Sequence, residues 1–205
     1  MSRAVNPLQR FAYHRPYLFL ATLAVLVALL HAGWRLQDTE RRDEHGRTAL
    51  INQAEQGDLP QIQHLIARGA EVDARDSCQW TGLMKAASFG HDDVVAALLQ
   101  HGADINAQDK GGYTALMVAA GNGHLTTVRL LLQHEAAPDI QDSGLGWSAL
   151  IWSTKEGHAG VVRALLAAGA RRDLRDNKGL TAADWATRNG DGQLAQLLRQ
   201  PKESE

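Results

Sequence analysis

The chain is predicted to be an all-α solenoid of helix–turn–helix–β-turn units, preceded by one N-terminal transmembrane or signal-anchor helix. Two observations predict the solenoid. Thr48, Thr81 and Thr114 fall 33 residues apart, Ser148 follows after 34, and Thr181 after 33 more. Gly57, Gly90, Gly123, Gly157 and Gly190 keep the same beat, with the single extra residue again between the third and the fourth. A fixed period of this size marks stacked copies of one supersecondary unit. No such unit can bury its apolar face alone, so the stack is the fold. A third observation predicts the N-terminal helix: Tyr17 to Trp34 is an apolar run without Lys, Arg, Asp or Glu.

Residues 1–16 hold Arg3, Arg10 and Arg15 and no acid. The run 17–34 would make a helix of about 27 Å, close to the ~30 Å hydrocarbon core of a bilayer. Tyr17 and Trp34 bracket it as interfacial aromatics do. The rival reading is a cleaved signal peptide, which needs small residues at −3 and −1. A cut after Ala32 puts Leu30 at −3 and one after Gly33 puts His31 there, so a retained anchor is expected. The Lys/Arg count on the two sides is close to a tie. A short basic tail before an apolar run is also the layout of an export signal, which favours the N-terminus in the cytoplasm and the repeats across the membrane. The alternatives are a soluble exported protein after cleavage, or repeats facing the cytoplasm. Residues 35–42, R-L-Q-D-T-E-R-R, have no apolar stripe and are expected to be a solvated helix or flexible spacer.

The stretch Asp109 to Gln141 shows how each unit is built. Thr114 caps a short helix, Ala115 to Gly121, by accepting from an orphan N–H of its first turn. Gly121-Asn122-Gly123 ends that helix, because glycine takes the left-handed conformation without a Cβ penalty. A second helix carries Leu125, Val128, Leu131 and Leu132 on one face. Ala119 and Ala120 are small because the first helix sits close to its neighbours. In the preceding unit His101-Gly102 ends the second helix, and Ala103 to Asn106 is expected to run extended to a turn at Asp109 to Gly112. The first and last units carry polar residues at outer positions, such as Gln53, Asp58, Arg188 and Asp191, which read as caps. The tail 201–205 is expected to be disordered.

The pattern T-A-L-M-x-A-A-x-x-G-H-x-x-V-x-x-L-L-x-x-G-A-D-I-N-A resembles the ankyrin repeat, whose period is the same. The resemblance covers residues 43–200, with units at 43–75, 76–108, 109–141 and 142–175 and a C-terminal cap at 176–200. There are departures. Ala49, Gly82, Ala115, Ala149 and Ala182 stand where the family has Pro, and Ile51, Met84, Met117, Ile151 and Asp184 where it has His. Unit three has Glu135-Ala136-Ala137-Pro138 in place of Gly-Ala-Asp-Ile. The Ala-, Leu- and Gln-rich repeats give the chain the look of a small bacterial membrane-anchored ankyrin-repeat protein, which would make the far side the periplasm.

Composition and motifs offer no enzyme. The 205 residues carry a formal net charge of −2 with no basic stripe, so nucleic acid is not expected as a partner. The single cysteine, Cys78, excludes an internal disulfide framework and falls at an expected turn tip. His91, His124 and His158 hold equivalent places in successive units, roughly 8–10 Å apart by helix packing. That is too far to share one metal ion, whose bonds to nitrogen are about 2 Å; in the ankyrin pattern this His has a structural role in the turn. His101 and His134 sit at second-helix ends, where a partly charged imidazole suits the dipole. G-W-S-A-L around Ser148 lacks the second Gly of a nucleophile elbow, and neither G-x-x-x-x-G-K nor H-E-x-x-H occurs. No catalytic residue, cofactor or metal is assigned.

What remains is surface. The position before the capping Thr or Ser lies on the inner side of the finger in ankyrin folds, and here it reads Arg47, Trp80, Tyr113, Trp147 and Leu180. Nearby inner-face positions hold Lys85, Phe89, Val118 and Trp152, while Trp152 and Trp185 are expected to be partly core. Trp and Tyr often anchor interfaces, and an exposed apolar patch usually marks a binding site; the plainer alternative is that these rings only stiffen neighbouring fingers. The insertion at Leu145 is expected to push the fourth finger outward. The resulting expectation is a non-enzymatic, membrane-tethered adaptor with a monomeric ankyrin domain. It would bind an unidentified protein through Trp80, Tyr113, Trp147, Lys85, Phe89, Val118, Trp152 and Leu180. The alternative is an accessory factor for an exported or stress-defence enzyme, for example a catalase-like haem enzyme.

Overall fold

The computed structural model describes residues 21–27 and 39–200. Between residues 49 and 199 it contains ten helices in five pairs. The inner helices are α1 (Ala49–Gln56), α3 (Gly82–Phe89), α5 (Ala115–Gly121), α7 (Ala149–Lys155) and α9 (Ala182–Arg188). The outer helices are α2 (Leu59–Ala67), α4 (Asp92–Gln100), α6 (Leu125–Gln133), α8 (Ala159–Ala167) and α10 (Gly192–Arg199). Successive inner helices pack on one another, each on its own outer partner, and α2, α4, α6 and α8 follow in register behind them. The repeat read from the spacing is thus the physical repeat.

Each inner helix begins at the expected hydroxyl. Thr48, Thr81, Thr114, Ser148 and Thr181 accept from the N–H three residues on, at 3.3 to 3.4 Å. The first four of these hydroxyl residues are almost fully buried, so each cap closes an end that water cannot reach, worth about 1 kcal/mol apiece. Small residues let the layers close up: Ala86, Ala87, Ala119 and Ala120 are fully buried. Gly82 belongs with them, because a Cβ there would lie 2.7 Å from Leu50 Cδ2.

The outer helices begin differently, and the histidines explain why. His91, His124 and His158 make no side-chain cap bond. Their Nε2 atoms reach back instead to carbonyls of the preceding unit: Glu55 at 3.1 Å, Ser88 at 3.0 Å and Gly121 at 3.0 Å. Asp58 and Asp191 hold the same place in the first and last units and cap their own helices, accepting from Gln61 N and Leu194 N. The preceding glycine is required twice over. Gly90 has φ +72°, and a Cβ on it would meet the His124 ring at 2.7 Å; Gly57 and Gly123 face His91 and His158 in the same way. Gly157 is followed one unit on by Asp191, and nothing lies within 4 Å of its Cβ position.

The fingers form a ladder on one side of the stack. Backbone N–H groups of Ser77, Lys110, Ser143 and Asn177 donate to the carbonyls of His45, Cys78, Gly111 and Leu145 in the preceding finger, at 2.8 to 3.2 Å. Within fingers, one oxygen of Asp76, Asp109 or Asp176 accepts two backbone N–H groups. In the fourth finger Asp142 uses both oxygens, Oδ1 for Gly144 and Leu145 and Oδ2 for Trp147. The inserted residue is absorbed there, and Leu145 is left 39% exposed.

Two local expectations are corrected. Ala103 to Asn106 is not wholly extended: residues 105–106 turn, closed by Ala107 N–H donating to Asp104 O at 3.2 Å. The end of the stem is not a free spacer. Thr39 is 2% exposed, Glu40 Oε1 accepts from Glu71 N–H at 2.9 Å, and the Arg42 guanidinium donates to the Arg75 carbonyl. These bonds copy links between later units, where Asp73 accepts from Asp104 N–H and Arg75 donates to Gln108 O. Residues 39–42 therefore continue the repeat's bonding pattern upstream of the first helix pair.

Most of the expected anchor at 17–34, with the segments 1–16 and 201–205, lies outside the described residues. Residues 21–27 are helical, with Leu23, Val25, Leu26 and Val27 exposed. Among the described residues no helix is long and apolar enough to cross a membrane.

Candidate functional site

The inner helices and the bases of the fingers bring the predicted residues towards one another, but not as a flat exposed column. Trp80, Tyr113, Val118 and Trp152 line a single open cavity of about 300 Å³, with Met117 and Gly121 behind them and Ser88 and Asn122 at its edge. Trp80 and Tyr113 come from fingers, Val118 from α5 and Trp152 from α7, so the cavity spans three units. All four are half-buried. The indole of Trp152 fits because Gly121 has no side chain: a Cβ there would touch Trp152 Cε3 at 2.9 Å. Asn122 Nδ2 donates to the Ser88 carbonyl at 2.9 Å, fixing that rim.

Trp147 is a correction. It is 8% exposed and belongs to the core. Its ring meets Trp152 edge-on at 5.0 Å and Trp185 at 5.3 Å, and its Nε1–H donates to Asp176 Oδ2. The cause is the buried Asp176 carboxylate, which accepts from Trp185 as well and draws both indoles inward. Tyr113 extends the row, edge-on to Trp152 at 5.8 Å. Burial, helped by the negative charges of Asp142 and Asp109, raises the Tyr113 pKa above 10.0, so its phenol stays a neutral donor.

Lys85 stands beside the cavity. Its ammonium lies 4.9 Å from the Trp80 ring centroid and 3.1 Å from Glu55 Oε1. Arg47 holds the other oxygen of Glu55 at 2.7 Å. Phe89 is 53% exposed and stacks on His91 at 6.0 Å, away from the cavity lining. Leu180 is half-buried in the fifth finger, where its N–H serves Asp176, and it does not line the cavity either. Ser88, Met117, Gly121 and Asn122 were missed as site residues by sequence reasoning. The available signal was the glycine itself, a helix-end residue that leaves room for an indole one unit on.

The arrangement suits recognition of apolar surface. It offers ring faces, one aliphatic wall and hydroxyl or amide donors at the edge. Among the described residues no group of three His, Cys, Asp or Glu side chains is placed to hold a metal ion. Cys78 is an exposed free thiol in the second finger.

The family model described as ankyrin repeats (3 copies) matches residues 18–109, 50–142 and 135–204. No curated protein matches the chain. The first match begins inside the apolar run, in keeping with the repeat-like bonding of Glu40 and Arg42. The family is one of protein-interaction domains that are typically not enzymes, and with three overlapping matches that span the stack, the chain belongs to the ankyrin-repeat family.

Proposed function

We propose that the protein is a non-enzymatic adaptor that binds a partner protein through the inner face of its stack, held at a membrane by residues 17–34. The observation that carries this reading is the open cavity between Trp80, Tyr113, Val118 and Trp152. Concave sites that are mostly apolar, with a few placed polar groups, are where ligands bind. The rings and capped helices are already ordered by the stack, so little has to reorganise on binding. The membrane part is supported by the length and apolar character of 17–34 and by its bracketing aromatics. The layout of basic tail and apolar run favours the repeat domain on the far side, in a periplasm.

The test is affinity capture from membranes, comparing the native chain with a Trp80→Ala, Tyr113→Ala, Val118→Arg variant, after circular dichroism shows both folded. Trp147 is left intact because its loss would disturb the core. A protein retained by the native chain and absent with the variant supports the reading; equal capture by both overturns the site. Extraction of the native chain from membranes by alkaline carbonate without detergent would overturn the anchor.

A further inference from the structure

Carboxylates are spread unevenly over the stack. Of the chain's 23 Asp and Glu residues, only Asp92 and Asp93 lie within an outer helix, both in the first turn of α4. Both are engaged: Asp92 accepts from the Thr127 hydroxyl and Asp93 from the N–H of Val94. The outer helices α6, α8 and α10 contain no acid and carry Arg129, Arg163 and Arg199, all exposed. Arg199 donates to the Thr187 hydroxyl at 2.8 Å. Arg129 and Arg163 have no hydrogen-bond or ion-pair partner among the described residues. At the helix ends Asp58 and Asp191 are used as caps, and Glu135 lies past the end of α6.

Arg129 and Arg163 border one open groove of about 630 Å³ between α6 and α8. Its floor includes Leu132, Gly160, Ala164 and Ala167, and no carboxylate lines it. Guanidinium groups bind phosphate through paired N–H bonds. The small apolar floor suits the glycerol and first methylenes that a phospholipid phosphate carries.

The tether decides what supplies the phosphate. Only residues 35–38 separate Trp34, the end of the apolar run, from Thr39, which is already buried in the stack at 2% exposure. So short a chain spans at most about 18 Å, and the first unit stands beside the bilayer whenever the run is inserted. Weak attraction then acts at the high effective concentration of a tethered site, and each Arg near an anionic surface adds to it. A soluble acidic protein has no such advantage. Inner and outer helices form opposite layers of each unit, so a stack lying on its outer helices keeps the cavity of Trp80, Tyr113 and Trp152 turned away from the bilayer and open to a partner.

We infer that the outer helices of the third to fifth units rest on the anionic phospholipid headgroups of the membrane that holds the anchor, with a lipid phosphate between Arg129 and Arg163. The inference rests on the membrane tether proposed above and adds how the stack lies on the bilayer.

The full-length chain with Cys78→Ser and Gln196→Cys is labelled with a fluorophore at residue 196, which is exposed on α10. The same fluorophore on the native Cys78 thiol reports on the fingers. Each protein is placed in nanodiscs of phosphatidylcholine, alone or mixed with phosphatidylglycerol, that contain a headgroup spin-labelled lipid as quencher. Strong quenching at 196 and weak quenching at 78, in the anionic discs only, is the expected result. Added Arg129→Gln and Arg163→Gln, with the fold verified by circular dichroism, should lower the ratio of docked to undocked stack about thirtyfold, and raised salt should also release it. An unquenched label in anionic discs, equal quenching in both lipids, or quenching indifferent to the arginine variant overturns the inference while leaving the anchor in place. A partner lost from the arginine variant in the capture experiment would assign this face to a protein instead and also overturn it. A chain that does not stay with the discs at all overturns the anchor, and the inference with it.

Discussion

The indole Nε1–H of Trp147 donates to Oδ2 of Asp176 at 3.2 Å, tying the ring of the fourth finger to the carboxylate of the fifth. Trp185 donates to the same oxygen at 3.0 Å, and Lys178 and Leu180 N–H groups donate to Oδ1 at 2.8 Å each. Asp176 is 5% exposed, so this carboxylate exchanges water for four donors. Asp176→Ala would leave the buried Trp147 indole N–H and the part-buried Trp185 one without an acceptor, and the fifth finger without its turn anchor. Urea unfolding is expected to show a loss of about 2–4 kcal/mol. Trp147→Phe keeps most of the packing and removes one donor, and should cost nearer 1 kcal/mol.

The same carboxylate makes stability depend on pH. Burial is the largest influence on Asp176 and raises its pKa, but the hydrogen bonds from Leu180, Trp185, Lys178 and Trp147 together outweigh it and hold the group below 3.8. A carboxyl whose folded pKa is depressed stabilises the fold fully above its unfolded value. That contribution fades as the pH falls through the folded value. Native protein should therefore lose stability on acidification below the ordinary carboxylate range. Asp176→Asn should be weaker at neutral pH and lose less on acidification. Urea midpoints measured at about pH 7 and about pH 3 test this; parallel losses in the two proteins would contradict it.

Gly90 and His124 are coupled by geometry. Gly90→Ala meets both a left-handed φ of +72° and a ring atom at 2.7 Å, and should cost about 2–3 kcal/mol. In a His124→Ala background only the backbone penalty remains, so the second cost should fall to about 1 kcal/mol. Gly157→Ala has open space within 4 Å and should match that smaller figure. Additive losses at 90 and 124 would disprove the contact.

Glu135 occupies a place that glycine holds elsewhere. Its φ is +65°, where Gly102 and Gly169 have +83° and +87°. Glu135→Gly should raise stability by about 0.5–1 kcal/mol, the left-handed strain relieved less the extra chain entropy of glycine. Calorimetry should show a higher Tm. Gln79, at φ +69° in the second finger, should respond in the same direction.

The stem bonds of Glu40 and Arg42 predict a cap on the first unit. In the Glu40→Ala, Arg42→Ala variant, hydrogen exchange should quicken at Glu71 N–H and in the first helix pair, leaving the third unit unchanged. Stability in such arrays passes between neighbours, so an end cap acts locally. Unchanged exchange at Glu71 would return the stem to the status of a spacer.

Much of the fold was legible because each unit's local chemistry repeats. Thr114 as cap, Ala115 to Gly121 as helix and the Gly123 turn could be read from capping preference and period alone. The structural role of His91, His124 and His158 could also be assigned, though not the carbonyls they reach. The site was legible only in part. Position in the repeat picked out Trp80, Tyr113, Val118 and Trp152, but it also picked out Trp147, whose fate depends on a carboxylate one unit away.

The sequence by itself determined the unit and its register, since caps, glycines and apolar spacing act within a few residues of themselves. Only the tertiary structure decided which rings line the cavity, which rings turn inward, and how the stem joins the stack. Those outcomes depend on groups brought together from different units: Asp176 beneath Trp147, Gly121 against Trp152, and Glu40 against Glu71. A side chain is exposed or buried according to what the neighbouring unit offers it, and a period states where the neighbour lies without stating what it will accept.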